Sequence, residues 1–158
     1  MSSLTPGFAR FVDTVGRVLA DGDGSAGNWA SMPVATGLDA ALREALGDPG
    51  LLPDEVIGGA SALGFITYLL HVSPNFTVFS SVTAPGALPP VHDHGSWGLV
   101  GLFRGIEEEI RFDRITAENG GPGLVEVGRT TFRQGDVVPV GPPRQTSTRS
   151  STGPARAR

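Results

Sequence analysis

A chain of 158 residues with a net charge of −4 and no cysteine is sized for one domain, and it excludes a disulfide framework, a thiolate metal site and a cysteine nucleophile. The acidic balance argues against a nucleic-acid partner. No apolar run approaches the ~18 residues of a membrane span, and the N-terminal residues lack the charged and apolar regions of a signal peptide, so a cytoplasmic protein is expected. Hydrophobic residues at 39% and charged residues at 18% describe a globular chain. The 23 glycines and 13 prolines favour turns and short strands over a helical bundle.

In chain order, "FARFVDTVGRVLA" places Phe8, Phe11, Val12, Val15, Val18 and Leu19 at helical spacing. Thr5-Pro6 starts this helix and the Asp-Gly pairs at 21–24 stop it. "SAGNWASMP" reads as a loop, and "TGLDAALREALGD", residues 36–48, as a second helix. "LLPDEVIGG" holds a third helical turn, with Pro53 near its start. From about residue 62 the texture changes. "ITYLLHV", "FTVFSSV", "GLVGLF", "EEEIRFDRI", "GLVEVGRTTF" and "DVVPV" are short and rich in β-branched or aromatic residues, with turn residues between them. That spacing predicts a mainly β fold, an antiparallel barrel or sandwich, beside a short N-terminal helical segment. The expected divisions are a helical segment over 1–60, a β-barrel over 61–143 and a disordered tail over 144–158. The last fifteen residues, "RQTSTRSSTGPARAR", have only alanine as an apolar residue. A barrel that ends before them leaves an unpaired strand edge.

The chemistry concentrates in "GALPPVHDHGSWGLVGLFRG", which holds two of the three histidines. On a strand, His92 and His94 share one face and Asp93 points away. Paired imidazoles begin many metal sites for Fe, Zn, Cu or Ni; a solvated or hydrogen-bonded histidine near a turn is the alternative.

The spacing goes further. Gly86 is followed after five residues by His92, then by His94, by Gly98 after three more, and by Gly105 after six. This resembles the first motif of the cupin superfamily, Gly-x5-His-x-His-x3,4-Glu-x6-Gly, with Gly98 in place of the acidic ligand. "PPVHDHGSWGLVGLFRGIEEEIRF" resembles thiol dioxygenases of the cysteine dioxygenase type, closest to the bacterial 3-mercaptopropionate dioxygenase-like branch with Gly at that position. The resemblance covers about residues 66–143. It implies a cupin (double-stranded β-helix) barrel and one mononuclear Fe(II) held by histidines alone, His92 and His94 among them. It also implies oxidation of a small thiol by O2 to a sulfinic acid. An open coordination position is what separates such a site from a structural one.

Three features that the resemblance leads one to expect are absent. "GDVVPVGPP" resembles the opening of the second cupin motif, but no histidine follows it. His71, in "TYLLHVSPN", reads as a hydrogen-bonded or exposed residue rather than the third ligand. The arginine that pairs with the substrate carboxylate in cysteine-using members would fall near residues 67–71, where Thr67 or Leu70 stands, so the resemblance does not point to cysteine as substrate. The downstream Ser-His-Tyr group is missing as well. The expected outcome is a barrel incomplete at its C-terminal end, inactive or weak in metal binding. A cupin that binds a small molecule or partner without metal, and a different metal chemistry on the same scaffold, stay open beside the dioxygenase.

Other residues have plainer expectations. Trp97 reads as a core aromatic ahead of a wall of the metal pocket, and Glu107, Glu108 and Glu109, which alternate faces on a strand, as solvated outward carboxylates ahead of one that faces the cavity. Arg104 and Arg111 read as surface charges rather than binders of an acidic substrate group. Asp93 orients a histidine or is a turn residue, and "GGPG" at 120–123 is too small for a phosphate loop.

All twelve basic residues are arginine, as in a GC-rich coding sequence. One choice of synonymous codons for Arg144–Thr152, read two bases later, gives Ala-Asp-Ile-His-Glu-Val-Leu-Asn, so the sequence is compatible with a second cupin motif ending in another frame. The new histidine codon straddles Ser147 and Thr148. A frameshift from a longer protein is therefore expected, and a genomic sequence with no histidine codon in any frame after Pro143 would contradict it.

Overall fold

The computed structural model describes residues 5–22, 32–59, 64–117, 120–141 and 146–153. The expected loop at 25–33 lies outside them up to residue 31, as do 144–145 and 154–158 of the expected tail. The chain divides into two compact units, Met1–Val82 and Thr83–Arg158.

The first unit opens with α1 (Pro6–Asp21), α2 (Met32–Leu46) and α3 (Asp54–Ile57). Thr5 caps α1: its Oγ1 accepts from the Phe8 amide at 3.0 Å and donates to the Leu51 carbonyl at 2.7 Å. Pro6 follows in the first turn, where no amide hydrogen is needed. One face of α1 supplies Phe8 and Val15 to a core shared with Val34, Leu38, Ala41 and Leu51. Phe8 is only 2% exposed, and burying a side chain of that size contributes ~1.5–3 kcal/mol. Gly37 permits the close approach of α2 to α1, since a Cβ there would lie 2.8 Å from Val18 Cγ1. β1 (Phe65–Val72) and β2 (Thr77–Thr83) form a two-stranded sheet. Ser73 closes their turn, its Oγ donating to the Phe76 carbonyl and accepting from the Phe76 amide. The texture change near residue 60 thus marks the start of strand structure, while the compact unit runs on to Val82.

The second unit is built from two sheets. In one, β3 (Gly98–Gly101) pairs antiparallel with β6 (Val137–Val140), Gly98 opposite Val140 and Gly101 opposite Val137. In the other, β4 (Ile106–Thr116) is central, with β5 (Pro122–Arg133) and β7 (Thr146–Gly153) antiparallel on its two edges. β4 and β5 form a long hairpin with a bulge between Arg111 and Phe112. Gly135, at φ +88°, turns β5 into β6, and Asp136 accepts from the Arg133 amide at 2.7 Å.

The fold is mainly β with an N-terminal helical segment, and the described strands form open sheets. Each strand and helix expected from the sequence is present. β7 departs from the expectation. Residues 146–153 read as disordered because they lack apolar side chains, yet their backbone pairs with β4 from Asp113 opposite Thr146 to Ile106 opposite Gly153. An edge strand is held through backbone hydrogen bonds, and threonine suits extended backbone, so a polar sequence suffices. Among the described residues no helix is long and apolar enough to cross a membrane.

Candidate functional site

His92 and His94 lie in the second unit on the segment between β2 and β3. The sequence places both on one strand. In the structure only His92 makes a bridge, and the chain turns directly after His94, with Gly95 at φ +62° and the Ser96 amide donating to the His94 carbonyl at 2.7 Å. Arg114 Nη2 donates to Asp93 Oδ2 at 2.9 Å, which ties the residue between the histidines to β4. So exposed a pair contributes only ~0–1 kcal/mol; its effect is to locate the loop.

His92 Nδ1 lies 3.0 Å from the Pro90 carbonyl. A carbonyl only accepts, so in the neutral ring Nδ1 holds the proton and Nε2 keeps its lone pair, as in metal-ligating histidines. His94 titrates below its usual range, first because burial disfavours the cation and then because of the neighbouring His92; Asp93 opposes the shift. His94 is therefore neutral at pH 7. The two ring centroids are 5.3 Å apart. Imidazoles sharing one ion at N–metal distances of ~2 Å hold their centroids roughly 4.5–5 Å apart, so the two rings stand slightly wider than a shared ion would hold them.

Both rings face a cavity of about 50 Å³ lined also by Glu107, Glu109, Phe132 and Val138. His94 and Glu109 also line a wider cavity of about 380 Å³ with Arg111, Thr130 and Pro139. The register of β4 and β5 explains the wall. Glu107 pairs with Phe132, Glu109 with Thr130 and Arg111 with Gly128, so alternate residues of both strands face one way. Gly128 gives the Arg111 guanidinium room, because a Cβ there would lie 3.3 Å from Nη2.

This corrects the expectation for the glutamates. Ile106 and Ile110 occupy the other face of β4, so Glu107 and Glu109 turn to the cavity and are half-buried. Arg111 is exposed, as expected of a surface charge, and also lines the wider cavity. Of the three glutamates Glu108 behaves as expected, paired at 3.0 Å with the exposed Arg129. Period-two alternation signalled the split; the sequence did not say which face of β4 meets the histidines. Burial raises the Glu109 carboxyl above its usual range, against the pull of Arg111 Nε at 3.9 Å and reinforced by Glu107.

The other residues singled out lie as follows. His71 is on β1 in the first unit, its ring 4.7 Å from that of Phe76; among the described residues its buried Nε2 has no hydrogen-bond partner. Thr67 Oγ1 is 2.9 Å from Ser81 Oγ, and Leu70 is half-buried on β1. Trp97 is half-buried directly before β3. Arg104 is exposed, its Cζ 5.5 Å from the Phe103 ring centroid. Gly120, at φ +79°, sits in the turn before β5. The frame-shifted histidine position, at 147–148, falls on β7 in register with Phe112 and Arg111. Among the described residues no three His, Asp or Glu side chains converge closely enough to hold an ion as they stand. No family model matches the chain.

The raised Glu109 carboxyl has a signed consequence in metal-free protein. The folded state keeps that proton to higher pH than the unfolded chain, so stability falls as pH rises from the ordinary glutamate value to the raised one. Urea titrations between pH 4 and 7 are expected to show Glu109→Gln gaining on wild type as pH rises. Parallel profiles would contradict the burial of this carboxyl.

Proposed function

We propose that the chain is a cytoplasmic cupin of the cysteine dioxygenase type, an iron-dependent enzyme that oxidises a small thiol with O2 to a sulfinic acid. The observation that carries this is the His92/His94 pair. It stands at cupin motif spacing, with both histidines on one cavity and His92 Nδ1 turned to the Pro90 carbonyl. His92 and His94 hold the ion, His92 oriented through the Pro90 carbonyl and the loop anchored by Asp93 to Arg114. Bound Fe(II) supplies the activation of O2 toward sulfur that a free thiol lacks, and both oxygen atoms end in the product: R–SH + O2 gives R–SO2H.

The chain's own residues shape the rest. Phe132, Val138 and Val140 give the cavity apolar walls beside the histidines. Arg111 presents its guanidinium to the wider cavity, where an acidic group of a substrate would pair with it. The second reading is a cupin that binds a small molecule or partner without metal. It is favoured by one observation, that no three ligating side chains converge among the described residues.

Oxygen uptake separates the two. Protein loaded anaerobically with Fe(II) is expected to consume O2 on addition of 3-mercaptopropionate, with sulfinate detected by mass spectrometry. The His92→Ala, His94→Ala double variant should lose at least a hundredfold in rate. Ligand binding without any thiol-dependent uptake, tested across several small thiols, would favour the metal-free cupin.

A further inference from the structure

The histidine pair supplies two donors, and the cavity it faces carries two carboxylates. Glu107 and Glu109 stand two residues apart on β4, on one face, and line the small cavity together with both imidazoles. Their situation is unbalanced. Among the described residues Glu107 makes no hydrogen bond or ion pair, and Glu109 has only Arg111 Nε at 3.9 Å, beyond hydrogen-bond length. The Glu109 side chain is 16% exposed while that of Arg111 is 50% exposed, so the cation sits mostly in water and the carboxylate mostly does not. Two half-buried carboxylates with only one mostly exposed guanidinium nearby leave the cavity short of positive charge.

We propose that Glu109 is the third protein ligand of a divalent cation held by His92 and His94, giving a two-histidine, one-carboxylate site. This rests on the metal-binding reading above and says which group completes the site in this chain. Glu109 is favoured over Glu107 because it lines both cavities and so borders the ion and the space beside it. The three donors do not converge as they stand; ligation requires the Glu109 side chain to swing about its own torsions, leaving Arg111 for the histidines. The resulting donor set of two imidazoles and one carboxylate is one that divalent iron and cobalt accept with positions left open. Glu107 then remains beside the ion as an outer carboxylate.

The test uses the 158-residue chain and Co(II), which reports its ligands through its visible absorption. Equilibrium dialysis with elemental analysis gives the dissociation constant. The expected result is near one Co(II) per wild-type chain, at least tenfold weaker binding with an altered visible band in Glu109→Gln, less than threefold weakening in Glu107→Gln, and no ion in the His92→Ala, His94→Ala variant. Glu109→Asp, which keeps the charge on a shorter stem, is expected to fall between wild type and Glu109→Gln. Circular dichroism should match for all variants, and the isosteric Gln removes a charge that burial disfavours, so folding is not at risk. Wild-type affinity and an unchanged spectrum in Glu109→Gln would overturn the carboxylate ligand while leaving the histidine site standing. No ion on the wild-type chain would overturn both.

Discussion

β4 is paired along both edges, to β5 on one side and β7 on the other. Its register is fixed by eleven paired residues on the β5 side, and a slip of one residue would send every side chain to the opposite face. That constraint organises the second unit. It sends Ile106 and Ile110 one way and Glu107, Glu109 and Arg111 the other. It carries Phe132 and Thr130 of β5 into the same wall, and through Arg114 it holds the histidine loop by Asp93. The candidate site is thus a loop placed against a rigid strand rather than two histidines on a single strand.

Much of this was legible in the sequence. The 3.6-residue apolar spacing of α1, the cap at Thr5-Pro6 and the β-branched runs separated by glycines each state a local preference that the fold follows. The histidine pair was legible because its spacing to Gly86, Gly98 and Gly105 is distinctive. Two things were not. Three consecutive glutamates carry no apolar signal, so alternation alone could not say that two of them face the cavity. The strand at 146–153 has no hydrophobic face to announce it, because its place is fixed by backbone pairing with β4.

The electrostatics of the cavity follow from burial more than from ion pairing. Burial drives His94 toward the neutral form, and it drives Glu109 toward the protonated one while the site holds no cation. A neutral imidazole is what a metal requires, whereas a disfavoured carboxylate gains most when a cation arrives. The exposed ion pairs of the hairpin, Arg129 with Glu108 and Glu126, add little by comparison.

The central claim is that His92 and His94 share one ion. X-ray absorption at the iron K edge of Fe(II)-loaded protein tests it most directly, because imidazole rings leave a distinctive outer-shell scattering pattern. The account predicts two imidazoles on one iron in the wild-type chain, and their loss in the His92→Ala, His94→Ala variant. An iron surrounded by oxygen alone, with the same spectrum in both proteins, would contradict it.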